Sequence, residues 1–237
     1  MLSQIKRLIK KTVYSIVPPP YIPPSYSQAG EDAVLRFLFN DKKLKKISYL
    51  ELGTNTPDFG NNTYLFYKYG FRGVCVEADK TLIPRIKKTR PGDKVLNVGV
   101  SISGEKEADF YIFDISGINT FDKEEAEKRA AFGTYKIKAT VKVPLVNINT
   151  LIAENFDHYP DLLSIDIEGL DLAVLKSLDY EKYPLPVICV ETCTYSENHI
   201  RPKDPTIGDF LLGKGYEVYA DTYINTIFVN KKWFYKL

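Results

Sequence analysis

Short apolar runs that alternate with longer amphipathic stretches dominate the chain after about residue 47. The clearest runs occupy residues 47–53, 73–78, 94–100, 162–167 and 187–192, and a hairpin pattern follows at 216–229. Continuous apolar runs bounded by turn residues are typical of buried parallel strands, and helical periodicity between them is typical of crossover helices. The pattern therefore predicts an α/β domain with a doubly wound sheet.

The chain between the third and fourth of these strands has a different pattern. Residues 108–114 and 135–144 alternate between polar and apolar side chains, which is typical of exposed antiparallel strands. We expect them to replace or extend a crossover. The polar segment 119–134 that joins them is interpreted as a surface loop and helix, or alternatively as a mobile flap over a ligand site.

An appendage precedes the domain. Apolar residues at spacings of three and four among basic residues predict a short amphipathic helix over residues 1–16: Leu2, Ile5, Ile9, Val13 and Ile16. The prolines of residues 18–24 favour an extended spacer. The helix is interpreted as a peripheral contact to an anionic membrane or a partner, or as packing on its own domain or on a neighbouring subunit of a homo-oligomer.

The length of the chain suits one α/β domain with additions. The full sequence of 237 residues, with 44% apolar content, suffices for one large core. A helix is expected at residues 27–39, with Glu31 and Asp32 near its start, where acids complement the helix dipole. We therefore divide the chain into an appendage, residues 1–24, and one domain, residues 25–237.

Charge and cysteine usage narrow the functional class. The formal net charge is +2, but the appendage holds four basic residues and no acid, so acids outnumber bases in the domain. A nucleic-acid-binding domain would need a basic face, so no nucleic-acid partner is expected. Three scattered cysteines do not form a disulfide framework, and no apolar run approaches the ~20 residues that span a bilayer. We expect a cytoplasmic protein, with peripheral contact to the inner face of the membrane through residues 1–16.

Two neighbouring apolar runs each end in an acid. The first ends at Glu51 and Gly53, and the second ends at Glu77, 24 residues beyond Gly53. In doubly wound folds ligands bind outside the carboxyl ends of the strands, and an acid that ends the second strand accepts hydrogen bonds from ribose hydroxyls. A dinucleotide turn uses three glycines to approach a pyrophosphate, whereas this turn holds one. The residues therefore favour S-adenosylmethionine over NAD.

Further acids end two later runs. Asp166 and Glu168 follow the fourth strand and project to one side of it, and Glu191 ends the next strand. Asp171 falls near the start of the following helix and is interpreted as a capping acid. Several acids at one sheet edge are costly unless a ligand or partner compensates them, so this edge is the candidate for the chemistry.

The order and spacing of five blocks resemble the FkbM family of S-adenosylmethionine-dependent methyltransferases. The blocks are SQAGED at residues 27–32, YLELGTN at 49–55, NNT at 61–63, VEA at 76–78 and SIDIEG at 164–169. The resemblance covers roughly residues 25 to 230. It implies a class I methyltransferase fold, which is a Rossmann-like seven-stranded sheet with one antiparallel hairpin at its edge. It also implies O-methylation of a sugar hydroxyl, in a surface glycan or its activated precursor, or in a glycosylated natural product.

The resemblance also implies which residues hold the cofactor. Glu51, Gly53 and Asn55 are expected to hold the methionine part, and Glu77 the ribose. The turn after Glu51, residues 51–57, departs from the commonest form of the family, since Thr54 and Thr56 stand where further glycines are common. These threonines narrow the room for the methionine part.

Other cofactor contacts are expected on both sides of this turn. By the same resemblance, Asn97 and Val98, in the segment that reaches Val100, flank the adenine. Gln28, Glu31 and Asn62 cover the cofactor from the N-terminal side, and Asp166 is counted with the cofactor residues as well as the catalytic ones. From the pattern alone, Glu31 is equally a helix-start acid and Asn62 equally a turn or capping residue.

Methyl transfer to a hydroxyl needs a group that removes the acceptor's proton. The candidates are Asp166, Glu191 and His199. His158 precedes the fourth strand and falls at the opposite edge of the sheet, so His199 is the better imidazole base, although an exposed loop histidine would look the same. Tyr195 and Tyr223 are expected near this edge, where they offer stacking faces to a sugar.

Two alternatives remain open at this point. A divalent cation held by Asp166, Glu168 and Glu191 would lower the pKa of the acceptor hydroxyl, although the same carboxylates suit hydrogen bonds to a polyol. An NAD-dependent sugar oxidoreductase would share Glu77 but lacks its glycine-rich turn, and a non-catalytic nucleotide-binding module would keep the fold alone.

Overall fold

The computed structural model describes residues 25–193 and 202–236. The predictions for the appendage, residues 1–24, and for His199 and Tyr195 therefore lie outside the described residues. The strands in the described ranges are β1 Ser48–Leu52, β2 Arg72–Val76, β3 Lys94–Leu96, β4 Gly99–Ser101, β5 Glu107–Phe113, β6 Ile137–Asn147, β7 Leu162–Ile165, β8 Val187–Glu191, β9 Tyr216–Asp221 and β10 Asn225–Asn230.

Helices connect most of these strands. They are α1 Glu31–Asp41, α2 Tyr64–Lys68, α3 Ile83–Thr89, α4 Lys123–Ala131, α5 Ile148–Asn155, α6 Asp171–Ser177, α7 Pro205–Gly213 and α8 Lys231–Tyr235, with one 3-10 turn at Ser116–Ile118. Four of the helices begin at a residue whose side chain accepts a backbone N–H of the first turn: Asp122, Asn147, Asp204 and Asn230. Such a cap stabilises a helix by about 1 kcal/mol, which defines where these helices begin.

The main sheet has seven strands in the order β3-β2-β1-β7-β8-β10-β9. The first five are parallel, and β10 is antiparallel to both β8 and β9. The order reverses between β1 and β7, so the carboxyl ends of these two strands lie side by side at the switch point of the sheet. This topology confirms the predicted fold class, a class I methyltransferase sheet with one antiparallel hairpin at its edge.

The predicted single strand at 94–100 is wrong, because the chain leaves the main sheet after Leu96. Strand β3 ends there, and β4 instead pairs with β6 in a second sheet of order β4-β6-β5. Asn97 makes the break. Its side-chain amide donates to the carbonyl oxygens of Glu77 and Ala78, at 2.8 and 2.9 Å, where a further ladder of backbone bonds would otherwise form.

The segment between β4 and α5 forms an insertion beside the main sheet. Strands β5 and β6 are antiparallel, as the alternating pattern predicts. The polar segment between them contains the 3-10 turn and helix α4, whose Arg129 is buried. This arrangement agrees with the interpretation as a loop and helix.

The first domain helix begins later than the predicted residue 27. Asp32 is fully buried, and its carboxylate accepts hydrogen bonds from the hydroxyls of Ser25 and Ser27 and from the backbone N–H of Tyr26. These bonds hold residues 27–30 in bends, and Gly30 has a left-handed φ of 95° at the helix start. The helix therefore begins only at Glu31.

Alternating residues of β1 face two different apolar layers. Leu50 and Leu52 belong to the larger cluster, which includes helices α5 and α6, whereas Tyr49 packs with Leu35 and Phe39 of α1 on the opposite face. Glu51 shares the face of Tyr49, because side chains alternate along a strand. No helix in the described ranges is long and apolar enough to cross a membrane.

Candidate active site

A cavity of about 150 Å³ lies at the carboxyl ends of β1, β2 and β7, at the switch point of the sheet. Its walls come from the loops after these strands, from the start of β4 and from the insertion. Predicted site residues that line it are Gln28, Gly53, Asn55, Glu77, Val98, Asp166 and Glu168. The topology thus gathers most of the predicted residues into one place.

The turn after β1 requires its glycine for a close approach between two strands. Gly53 has a φ of +83°, and a Cβ atom on it would overlap the backbone carbonyl of Asp166. Asn55 also has a positive φ, of 44°, and its backbone N–H donates to Oε2 of Glu77 at 2.7 Å. The turn therefore directs a backbone donor at the acid that ends the neighbouring strand.

Glu77 lies at the cavity with backbone donors on both of its carboxylate oxygens. Oε2 accepts from Asn55, and Oε1 accepts from the N–H of Asp79 at 2.8 Å. Burial, with a smaller contribution from the charge of Asp79, raises the pKa of Glu77 to about 6. Each oxygen retains acceptor capacity for a further donor, since an ionised carboxylate offers about four lone-pair positions.

One wall of the cavity is apolar. It is formed by residues 98–100 together with two aromatic side chains of the insertion, Phe110 and Phe121. These rings lie 4.6 Å apart between centroids, and a Cβ atom on Gly99 would overlap Phe121. The prediction for the segment after β3 needs one correction, because Val98 lines this wall whereas Asn97 does not. The amide of Asn97 is used to bind the backbone after Glu77.

The structure does not place Glu51 at the cavity. Its side chain is 3% exposed and lies on the same face of the sheet as Tyr49. There Oε2 accepts from Arg90 at 2.9 Å and Oε1 accepts from Thr63 at 3.0 Å. Arg90 is fully buried and also pairs with Asp93 at 2.7 Å, whose carboxylate accepts the hydroxyl of Tyr49. Glu51 is therefore part of a buried ion cluster.

Two further predicted cofactor contacts also have other partners. Glu31 is fully buried, and its carboxylate accepts from Thr222 Oγ1 at 2.6 Å, from Asn225 Nδ2 at 3.0 Å and from the N–H of Ala29. It joins the N-terminal segment of the domain to the β9–β10 hairpin. Asn62 donates its side-chain amide to Ser164 Oγ at 3.2 Å beneath the cavity. Both residues support the site from outside it.

A wider polar depression of about 510 Å³ adjoins the cavity. Both spaces are lined by Gln28, Gly117, Asp166 and Glu168, so Asp166 lies at their junction. The far wall of the depression comes from the end of β8, including Glu191, and from the start of α7. Asp166 and Glu191 therefore reach the same space, as the positions of their strands predict. Tyr223 is exposed at the turn between β9 and β10, and the ammonium of Lys203 lies 5.6 Å from the centroid of its ring.

The metal alternative is not supported. Oε2 of Glu168 pairs with Arg129 Nη2 at 3.0 Å, so this carboxylate already has a cation. In residues 25–193 and 202–236, no group of three or more His, Cys, Asp and Glu side chains is arranged to hold a metal ion. Asp171 accepts backbone N–H bonds from Ile167 and Gly169, which agrees with its interpretation as a structural acid.

Several residues of the insertion belong to the site and were not predicted from the sequence, among them Ser116, Asn119, Phe121 and Arg129. The first three line the cavity, and Arg129 lines the depression. The sequence offered one signal for Asn119, Phe121 and Arg129, the polar segment 119–134. Its interpretation as a flap over a ligand site named no individual residue. These side chains reach the site through tertiary packing of a second sheet, which no local pattern encodes.

The strand order and the cavity at its switch point define the class I methyltransferase fold. The chain belongs to the FkbM family of methyltransferases, since the sequence profile of the methyltransferase FkbM domain matches residues 51–218. No curated protein matches the chain. A solved structure with some likeness is a TehB-like SAM-dependent methyltransferase from Corynebacterium glutamicum. It is 8% identical, with 96% of this chain and 97% of that chain covered and a TM-score of 0.38. That likeness is too slight to inform the function.

Membership in this family implies S-adenosylmethionine as the methyl donor, and the residues of the cavity suit it. Glu77 offers acceptor positions for ribose hydroxyls, and Val98 and Phe121 offer an apolar wall for a flat base. Asp166 lies where the cavity opens into the depression. The residues therefore provide a polar end, an apolar wall and an exit toward a second substrate.

Proposed function

We propose that the protein is an S-adenosylmethionine-dependent O-methyltransferase that methylates a sugar hydroxyl, in a surface glycan or its activated precursor. The observation that carries the proposal is the position of Asp166, which lines both the cofactor cavity and the polar depression. A hydroxyl acceptor in the depression would meet a carboxylate at the point where it reaches the methyl donor. Carboxylates also suit hydrogen bonds from the other hydroxyls of a sugar.

The sulfonium of S-adenosylmethionine supplies an electrophilic methyl group. The chain must orient the acceptor and remove its proton, because a sugar hydroxyl is a poor nucleophile unless it is deprotonated during attack. In this proposal Asp166 takes the proton at the junction of the two spaces. Glu191, on the neighbouring strand, orients the acceptor by accepting a second hydroxyl. Arg129 holds Glu168 at the rim of the same depression.

The walls of the depression support a polar acceptor. Its lining includes Asp122, Glu125, Lys128, Thr192 and Asp204, and few large apolar side chains. A flat aromatic acceptor would find little apolar surface there, whereas a polyol would find acceptors on several sides. A sugar attached to a natural product offers the same hydroxyls, so it remains within the proposed chemistry.

The test measures formation of S-adenosylhomocysteine with a panel of free sugars, glycosides, phenols and amines. We expect turnover with sugars or glycosides, and we expect Asp166→Asn and Glu191→Gln each to lower kcat by at least ~10²-fold with little change in cofactor affinity. The exposed acids Asp209 and Glu154 provide matched controls, since Asp209→Asn and Glu154→Gln should leave kcat unchanged.

Turnover with amines or phenols alone would overturn the sugar assignment. Near-wild-type kcat in both site variants, at a saturating concentration of the true acceptor, would mean that these acids are structural.

A further inference from the structure

The two backbone donors that hold Glu77 are themselves held by one short segment of the insertion. Asn55 donates its backbone N–H to one carboxylate oxygen of Glu77, and Asp79 donates its own to the other. The side chain of Asn55 accepts from Ser116 Oγ at 2.8 Å, and the side chain of Asp79 accepts from Asn119 Nδ2 at 3.1 Å. Residues 116–119 therefore contact both loops that flank the acid.

The insertion adds to the local contacts of these loops, since Asp79 also accepts from the backbone N–H and the hydroxyl of Thr81 within its own loop. Asn55 has a positive φ, a conformation that asparagine tolerates better than most residues with a Cβ atom but that still costs some free energy, which the contact from Ser116 helps to offset. Asn119 is 8% exposed, and its Oδ1 accepts the backbone N–H of Phe113 at 2.8 Å, so its orientation is set from within the insertion. The amide group is thereby aimed at Asp79.

We infer that Ser116 and Asn119 are positioning residues for cofactor binding, which act through Asn55 and Asp79 to fix the carboxylate of Glu77 toward the ribose. The core of the sheet supplies the acid, and the insertion fixes its geometry. The inference rests on the assignment of Glu77 to the ribose, which follows from the family and the cavity.

The same short stretch also reaches the third loop of the site. Thr120 Oγ1 donates to the backbone carbonyl of Glu168 at 3.2 Å. Ser116, Asn119 and Thr120 thus contact the loops that follow β1, β2 and β7, respectively. A segment that contacts all three loops is suited to hold the cavity in one shape.

The experiment titrates S-adenosylhomocysteine into single variants by calorimetry. Ser116→Ala removes one hydroxyl donor and should weaken binding by about 3- to 10-fold. Asn119→Asp keeps the acceptor for Phe113, removes the donor to Asp79 and adds a negative charge beside it, so we expect a loss of at least ~10-fold. Ser116→Thr retains the hydroxyl and should bind within about twofold of the wild type.

An exposed threonine of the insertion provides the control. Thr134→Ala should leave the affinity within about twofold of the wild type, because this side chain lies at the surface beyond α4.

A thermodynamic cycle separates positioning from a general structural role. In a Glu77→Gln background the losses caused by Ser116→Ala and Asn119→Asp should largely disappear, since the carboxylate through which they act is gone. Losses that add fully to that of Glu77→Gln would overturn the inference, as would wild-type affinity in both variants. If Glu77→Gln itself binds S-adenosylhomocysteine as well as the wild type, the assignment of the ribose carboxylate fails first.

Discussion

Glu51 and Glu77 end neighbouring strands at the same edge of the sheet, yet their surroundings differ in kind. Glu51 pairs with the buried guanidinium of Arg90, and both of its oxygens have side-chain partners. Glu77 instead accepts from the backbone N–H groups of Asn55 and Asp79 and lines the cavity. A buried acid with its own cation stabilises the fold, whereas a buried acid at a cavity with backbone donors is available to a ligand.

The guanidinium of Arg90 is fully buried and surrounded by hydrogen-bond partners. It donates to Glu51, Asp93, Thr63 and Asn61. The cluster joins β1 to the start of α2 and to the loop before β3. Its removal should therefore affect stability more than any other single change considered below.

Arg90→Met should lower the free energy of unfolding by about 3–5 kcal/mol, because it leaves two buried carboxylates without their cation. Urea denaturation followed by circular dichroism measures this loss. The control is Arg85→Met, which removes the exposed ion pair with Asp58 and should cost no more than about 1 kcal/mol. Equal losses in the two variants would show that the buried cluster contributes no more than a surface pair.

Matched carboxamide variants sharpen the comparison of the two acids. Glu77→Gln should weaken binding of S-adenosylhomocysteine by about 1.5–3 kcal/mol, since a charged acceptor for the ribose is lost. Glu51→Gln should leave that affinity within about threefold of the wild type but lower the free energy of unfolding by about 1–3 kcal/mol. Calorimetry and urea denaturation on both variants measure the two effects. The reverse pattern would exchange the roles assigned to the two acids.

The pH dependence of cofactor affinity gives the smallest of these effects. Burial raises the pKa of Glu77 to about 6, so the carboxyl takes up a proton as the pH falls through that value. Ribose hydroxyls donate to the ionised form, and affinity should therefore be nearly complete at pH 7, about half lost at pH 6 and about tenfold lower at pH 5. Titrations of S-adenosylhomocysteine across this range measure the loss. A slope that persists in Glu77→Gln would show that Glu77 does not cause the pH dependence.

The sequence predicts the sheet well because each core strand is encoded by its own apolar run. It also predicts Glu77, Val98 and Asp166 at the cavity, since strand ends at a switch point are gathered by topology. Two features of the site could not be predicted: that Glu51 lies away from the cavity, and that Ser116 and Asn119 line it. The partner that Glu51 finds on its face of the sheet is Arg90, 39 positions away in the chain, and the contacts of Ser116 and Asn119 depend on a second sheet that replaces a crossover.

Strand β10 lies inside the main sheet, between β8 and β9, although it is the last strand in the described chain. A ribosome delivers residues in chain order, so β8 is synthesised well before its antiparallel neighbour exists. During that interval the edge of β8 presents unpaired N–H and C=O groups and the apolar side chains of residues 187–190. The edge of β8 therefore stays open to pairing with other chains until residues 225–230 become available, and the arrival of β10 ends that exposure.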